Sequence, residues 1–209
     1  MDKTDNRNGK IAFLIFSITT LILLVADMTL TYIGTPDLSR EANPLVHTFG
    51  LGWGALITGN IISFLVIELL YYYTFVKFKR SIIECSGKRQ FLSIIFFDRP
   101  DKFVWLLYKF PKNKKRGWSY ILACTGFAFA IVMTVIRLVV VVEWIAVITQ
   151  SKWINSYFDF FKKVNFTTPI GRLDILLFAT IVVILAIYYW ICREYKINQK
   201  AYENKGESV

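Results

Sequence analysis

The sequence predicts an all-α integral membrane protein with four transmembrane helices, and three observations carry that prediction. The 209 residues are 55% hydrophobic and 17% aromatic, with a mean hydropathy of +0.46, the profile of membrane helices and not of a soluble domain. Four apolar stretches, at 11–33, 45–75, 118–149 and 173–192, reach the roughly 20 helical residues that a bilayer core of about 30 Å requires. Lys and Arg crowd residues 77–116, whereas 34–44 holds Arg40 alone. The chain therefore reads as one membrane domain, 1–209.

Taken in order, the first span (11–33) follows a charged stretch from Asp2 to Lys10 with no small-residue cleavage site after it, so a retained signal anchor is expected. The second (45–75) opens with Asn43 as N-cap and Pro44 at the first helical position. Gly50, Gly52, Gly54 and Gly59 within it mark close helix approach or local irregularity. Residues 91–110 are apolar but interrupted by Asp98-Arg99-Pro100-Asp101-Lys102, which excludes a span there. Phe103 to Phe110, bounded by Lys102 and the basic run ending at Arg116, suits an amphipathic segment lying on anionic lipid. The second and third spans (45–75 and 118–149) exceed the minimum length and are expected to tilt or to project beyond the lipid. Before the fourth span (173–192), Trp153, Tyr157, Phe158, Phe160, Phe161 and Phe166 with Lys162 and Lys163 read as an interfacial belt. By the positive-inside rule the loop 76–117 and both termini are cytoplasmic, and 34–44 and 150–171 face outward.

A net charge of +10 would suggest nucleic acid as partner in a soluble protein. Orientation of membrane helices accounts for the same excess, so no nucleic acid is expected. Cys85, Cys124 and Cys192 show no metal-ligand spacing, and no structural disulfide is expected. Asn165-Phe166-Thr167 matches a glycosylation acceptor, a tripeptide too common to carry an expectation. His-Glu-x-x-His, Gly-x-Ser-x-Gly and P-loop patterns are not present.

Chemistry is indicated by polar groups at the outward face. Asp27 interrupts the first span about six residues before its outward end, roughly 9 Å deep, and His47, the only histidine, lies roughly 5 Å below the same face. Carboxylates and imidazole are expensive to place in a membrane, which makes Asp27, Glu41 and His47 the candidate catalytic residues. Thr31, one turn beyond Asp27, shares its face. Glu41 also has a purely local reading, because the unpaired N–H groups at the Asn43-Pro44 helix start attract a carboxylate. Arg137 and Glu143 lie in the outward half of the third span, and Arg172 and Asp174 open the fourth. Arg137 needs a partner and Asp27 is the nearest in depth, so an Asp27–Arg137 ion pair that holds helices together is the rival to any site role. Asn60 reads as an interhelical hydrogen-bonding amide, and Glu68 as close enough to the inner interface to reach Lys77, Arg80 or water.

Three functions are compatible with this set. In a membrane-embedded enzyme or binding protein for a lipid-linked or amphipathic substrate, Asp27, Glu41 and His47 would act as acid and base or hold a divalent metal ion. Asn43, Thr31, Arg137 and Arg172 would then contact the substrate. In an ion- or solute-translocating homo-oligomer, Asp27, His47, Asn60 and Glu68 would form a polar ladder. In a non-catalytic subunit or assembly factor of a membrane complex, the polar groups would lock helices together.

At Asp27-Met28-Thr29-Leu30-Thr31 and Glu41-Ala42-Asn43-Pro44-Leu45 the chain resembles a group of small uncharacterised prokaryotic polytopic membrane proteins. These carry Asp-x-x-x-Thr on a first helix and Glu-x-Asn-Pro-Leu at the start of the second. The resemblance covers the first third of the chain and implies a shared architecture, with no activity attached to it.

Overall fold

A computed structural model describes residues 3–39, 41, 43–47, 49–100, 114–163, 167–168 and 171–206. In chain order its helices are α1 (Lys3–Gly34), α2 (Pro44–His47), α3 (Trp53–Tyr72), continued by a π-helical turn over Tyr73–Lys77, α4 (Lys88–Phe97), α5 (Lys114–Ile148), α6 (Lys152–Lys163) and α7 (Leu173–Gly206). A two-residue antiparallel pairing, Thr167–Thr168 with Gly171–Arg172, precedes α7. Four helices are long and apolar enough to cross a membrane, over Arg7–Gly34, Trp53–Lys77, Lys115–Ile148 and Ile175–Glu203. Their outer faces stay apolar: Ile22, Leu69 and Leu185 are all more than 60% exposed, an arrangement that lipid tolerates and water does not.

Helix α5 is the hub, packing against α1, α3 and α7. Small residues permit this. Ala123, Ala128 and Ala130 are buried, and a Cβ added at Gly126 would collide with Thr74 Oγ1 and the Leu70 carbonyl. At the two ends of α1, Gly9 abuts the Phe75 carbonyl and Gly34 abuts the Trp144 ring. The glycines singled out in the sequence behave otherwise. Gly50, Gly52 and Gly54 have nothing within 4 Å of a built Cβ, and Gly59 meets Leu45 of α2.

Gly50 instead takes φ +64° and breaks the helix. The second span therefore starts at Trp53, not at residue 45, and α2 is a separate turn in front of it. That turn begins as expected, with Asn43 Oδ1 accepting the Leu45 N–H at 3.0 Å. Trp53 ties the incoming loop to α3 through Nε1 to the Pro36 carbonyl at 2.8 Å and an edge contact with Tyr32. Helix α6 covers 152–163 within the aromatic segment expected to be interfacial, while the expected amphipathic stretch 103–110 and the Asn165-Phe166 dipeptide lie outside the described residues.

The fourth helix runs well past residue 192, because its extension is packed. Residues 78–86 are not helical and are tied to α5 and α7. Asn198 donates to the Ile83 carbonyl and accepts its N–H, each at 2.7 Å, as a neighbouring strand would. Tyr120 OH accepts the Ser81 N–H at 3.1 Å. Arg80 forks onto Glu194, Nε–Oε2 2.7 Å and Nη2–Oε1 3.2 Å. Helix α4 then buries Phe91 and Ile95 against Tyr120, Tyr195 and Trp190. Its C-terminal end is held by Arg116, which bonds the Ile94 carbonyl and Asp98. The basic connection is thus, in its described part, a folded cap on the bundle.

Candidate functional site

Three helices converge on one polar cluster. Arg137 of α5 donates from Nη1 to Asp27 Oδ2 of α1 at 3.1 Å and from Nη2 to Asn60 Oδ1 of α3 at 3.0 Å. Asn60 presents that oxygen because its Nδ2 is turned the other way, toward the Leu56 carbonyl at 3.0 Å and Met28 Sδ at 3.4 Å. The Arg137 and Asp27 side chains are 10% and 20% exposed. Arg137 Nε is buried with no acceptor among the described residues. In so dry a place, removing one charge strands the other, at about 3–5 kcal/mol.

Glu41 lies close enough for its charge to act on Asp27. Its Oε1 accepts the Asn43 N–H at 2.8 Å, the local helix-start role open to it in the sequence. Asn43 is engaged in turn with Leu45. Thr31 is 2% exposed inside the bundle. Thr134 turns back on its own helix, to the Ala130 carbonyl at 2.8 Å. The side chains of His47, Arg172 and Asp174 lie outside the described residues. The structure therefore brings together Asp27, Arg137 and Asn60, with Glu41 nearby. Among the described residues no three His, Cys, Asp or Glu side chains come together as a metal ion would need.

Glu68 belongs to a different level. It lies eight residues beyond Asn60 on α3, about 12 Å along the axis, and accepts from Ser17 Oγ of α1 at 2.5 Å. Arg80, one of its expected partners, is taken by Glu194. Its second oxygen, Oε1, is buried without a partner among the described residues. Tyr71, 0% exposed, reaches Thr20 at 3.4 Å and the Ala130 carbonyl at 3.5 Å. Asp27 and Asn60 thus share one cation.

The other end of the bundle is held by Arg80, expected at Glu68 instead, and by Glu194, Asn198 and Tyr120, which the sequence did not single out. One signal for them was present. Ala186, Trp190, Glu194 and Asn198 recur every four residues, so a carboxylate and an amide share the face that Ala and Trp bury. No family model matches the chain, and neither a curated protein nor a solved structure matches it.

Proposed function

We propose that the chain is a multi-pass protein of the cytoplasmic membrane, N-in and C-in, that works as a non-catalytic component: a binding protein or a subunit of a membrane complex. In it the Asp27–Arg137–Asn60 cluster is a polar lock between three helices in the outward half of the bundle. The basic residues of 77–116 against Arg40 alone in 34–44 support the orientation. One observation carries the functional reading. The aspartate best placed for chemistry is already paired, by a guanidinium that also takes the amide of the third helix. Placing an Arg in a membrane helix is costly, and the ion pair with a satisfied amide is what offsets it.

A second reading, a membrane enzyme acting on a lipid-linked substrate, draws on Arg137 Nε, a buried donor with no acceptor among the described residues. The two part company at Asp27→Asn. As a lock, Asp27 is needed for the fold, and its replacement lowers the thermal stability of detergent-purified protein and its yield from membranes, by about 3–5 kcal/mol of stability. As a catalytic residue it is dispensable for folding, and the variant melts with the wild type. Wild-type melting of Asp27→Asn would end the lock reading.

A further inference from the structure

At the opposite end of the bundle from the Asp27 cluster, a cavity lies between the start of α1, the π-helical turn and α7. Its wall includes Asn8, Gly9, Arg80, Trp190, Arg193 and Glu194. The helices that bound it, α1 and α7, each pack on α5 and far less on one another, which leaves this space between their ends. The π turn adds to it by displacing the backbone from the α-helical path. Its Phe75 carbonyl is pressed against Gly9, so the α1 wall stands as close as a backbone can.

The chemistry of the wall is that of an anion site. Glu194, 2% exposed, is spent on Arg80, whose Nε and Nη2 it holds in a fixed fork. Arg193 has no ion pair or hydrogen bond among the described residues and is only half-buried, so its five N–H donors are available to a ligand. Arg80 and Glu194 face one another as an ion pair, and Arg193 adds a second guanidinium to the wall. Asn8 adds an amide, and the sequence around it carries Lys3, Arg7 and Lys10 with Asp5. Planar, forked donors suit phosphate oxygens, and basic pockets between membrane helices on the cytoplasmic side take phospholipid headgroups.

We infer that this cavity binds a phosphate-bearing anion, with Arg193 as its principal ligand and the Arg80–Glu194 fork as the fixed wall behind it. Placing it in the inner leaflet rests on the proposed orientation; the site itself is independent of the outward lock, and Arg193→Gln leaves Asp27 and Arg137 untouched. The test uses the full chain in nanodiscs of phosphatidylcholine, with two probes. One is inorganic phosphate added to the neutral discs, and the other is replacement of a fifth of the lipid by phosphatidylglycerol; the readout is the melting temperature at increasing probe concentration.

A rise with phosphatidylglycerol but not with inorganic phosphate identifies a lipid headgroup, and a rise with inorganic phosphate in neutral discs identifies a soluble phosphate. In either case Arg193→Gln should need at least tenfold more probe for the same rise, Arg193→Lys should need less than that, and Ala12→Phe, which fills the cavity from the α1 wall, should reproduce the loss. The combined Lys112, Lys114 and Lys115→Gln variant should keep the response. No rise with either probe overturns the inference. So does a response abolished in the triple-lysine variant and retained in Arg193→Gln, which would put the anion on the basic run 112–115.

Discussion

Arg137 decides what the Asp27 cluster is. A guanidinium has donors enough for several acceptors, and here two of its nitrogens are given to side chains from two other helices. Both partners were readable in the sequence, Asp27 from its interruption of an apolar run and Asn60 as an interhelical amide, but their sharing of one cation was not. The azimuth of three helices sets that, and spacing along any one of them does not contain it. Glu41 shows the converse: its helix-start role follows from local chemistry alone, and the carboxylate is found on the Asn43 N–H. A separate prediction concerns Asp37. Hydrogen bonds from the Ser39 N–H, the Ser39 hydroxyl and the Thr35 hydroxyl hold its carboxyl below the usual range. A depressed folded-state pKa means that this support is present above the unfolded value of about 3.9 and is lost as pH falls through the folded one. Exchange of the Ser39 amide hydrogen, corrected for its intrinsic rate, should therefore stay protected through the ordinary carboxylate range near about pH 4 and lose protection only at lower pH. In Asp37→Ala it should be weakly protected at all pH values, and an unchanged pH profile there would show the turn is held by something else.

Among the elements, the four apolar helices were legible because length and hydropathy suffice to mark them. The break before α3 was half legible: Gly50 announced irregularity, yet Leu45 to Leu51 is too apolar to suggest that the span begins only at Trp53. What composition concealed was the cap formed by 78–86, α4 and the end of α7. Its Lys and Arg dominate any reading of the segment as a solvated loop, while its buried side chains, Phe78, Phe91, Tyr120, Trp190 and Tyr195, come from stretches far apart in sequence. Asn198 tests that cap. Asn198→Leu leaves the buried Ile83 N–H and carbonyl without the amide, at about 1–3 kcal/mol for each group left unpaired. Amide exchange over 78–97 should accelerate, with α1 and α3 unaffected. Protection of the Ile83 amide equal to wild type would mean that the Asn198 side chain is not what pins this segment.

For the whole molecule, buried polarity lies at three levels: the cluster of Asp27, Arg137 and Asn60 toward one end, the Ser17–Glu68 contact further along, and the cap with its Arg-lined cavity at the other end. The proposed orientation puts the first toward the outside and the last at the cytoplasmic interface. In a background with Cys85, Cys124 and Cys192 replaced, a cysteine at Ser39 should react with a membrane-impermeant maleimide on intact cells. A cysteine at Ser86 should react only after permeabilisation, and the reverse pattern would invert the protein.

The lock itself is tested most directly by a double-mutant cycle on Asp27→Asn and Arg137→Gln, with unfolding free energy measured in one detergent for wild type, both single variants and the double. If the pair is one unit, the double variant loses less than the sum of the single losses, by a coupling of about 1–3 kcal/mol. Losses that add to within about 0.5 kcal/mol would show two independent residues, and the account of a three-helix polar lock would be wrong.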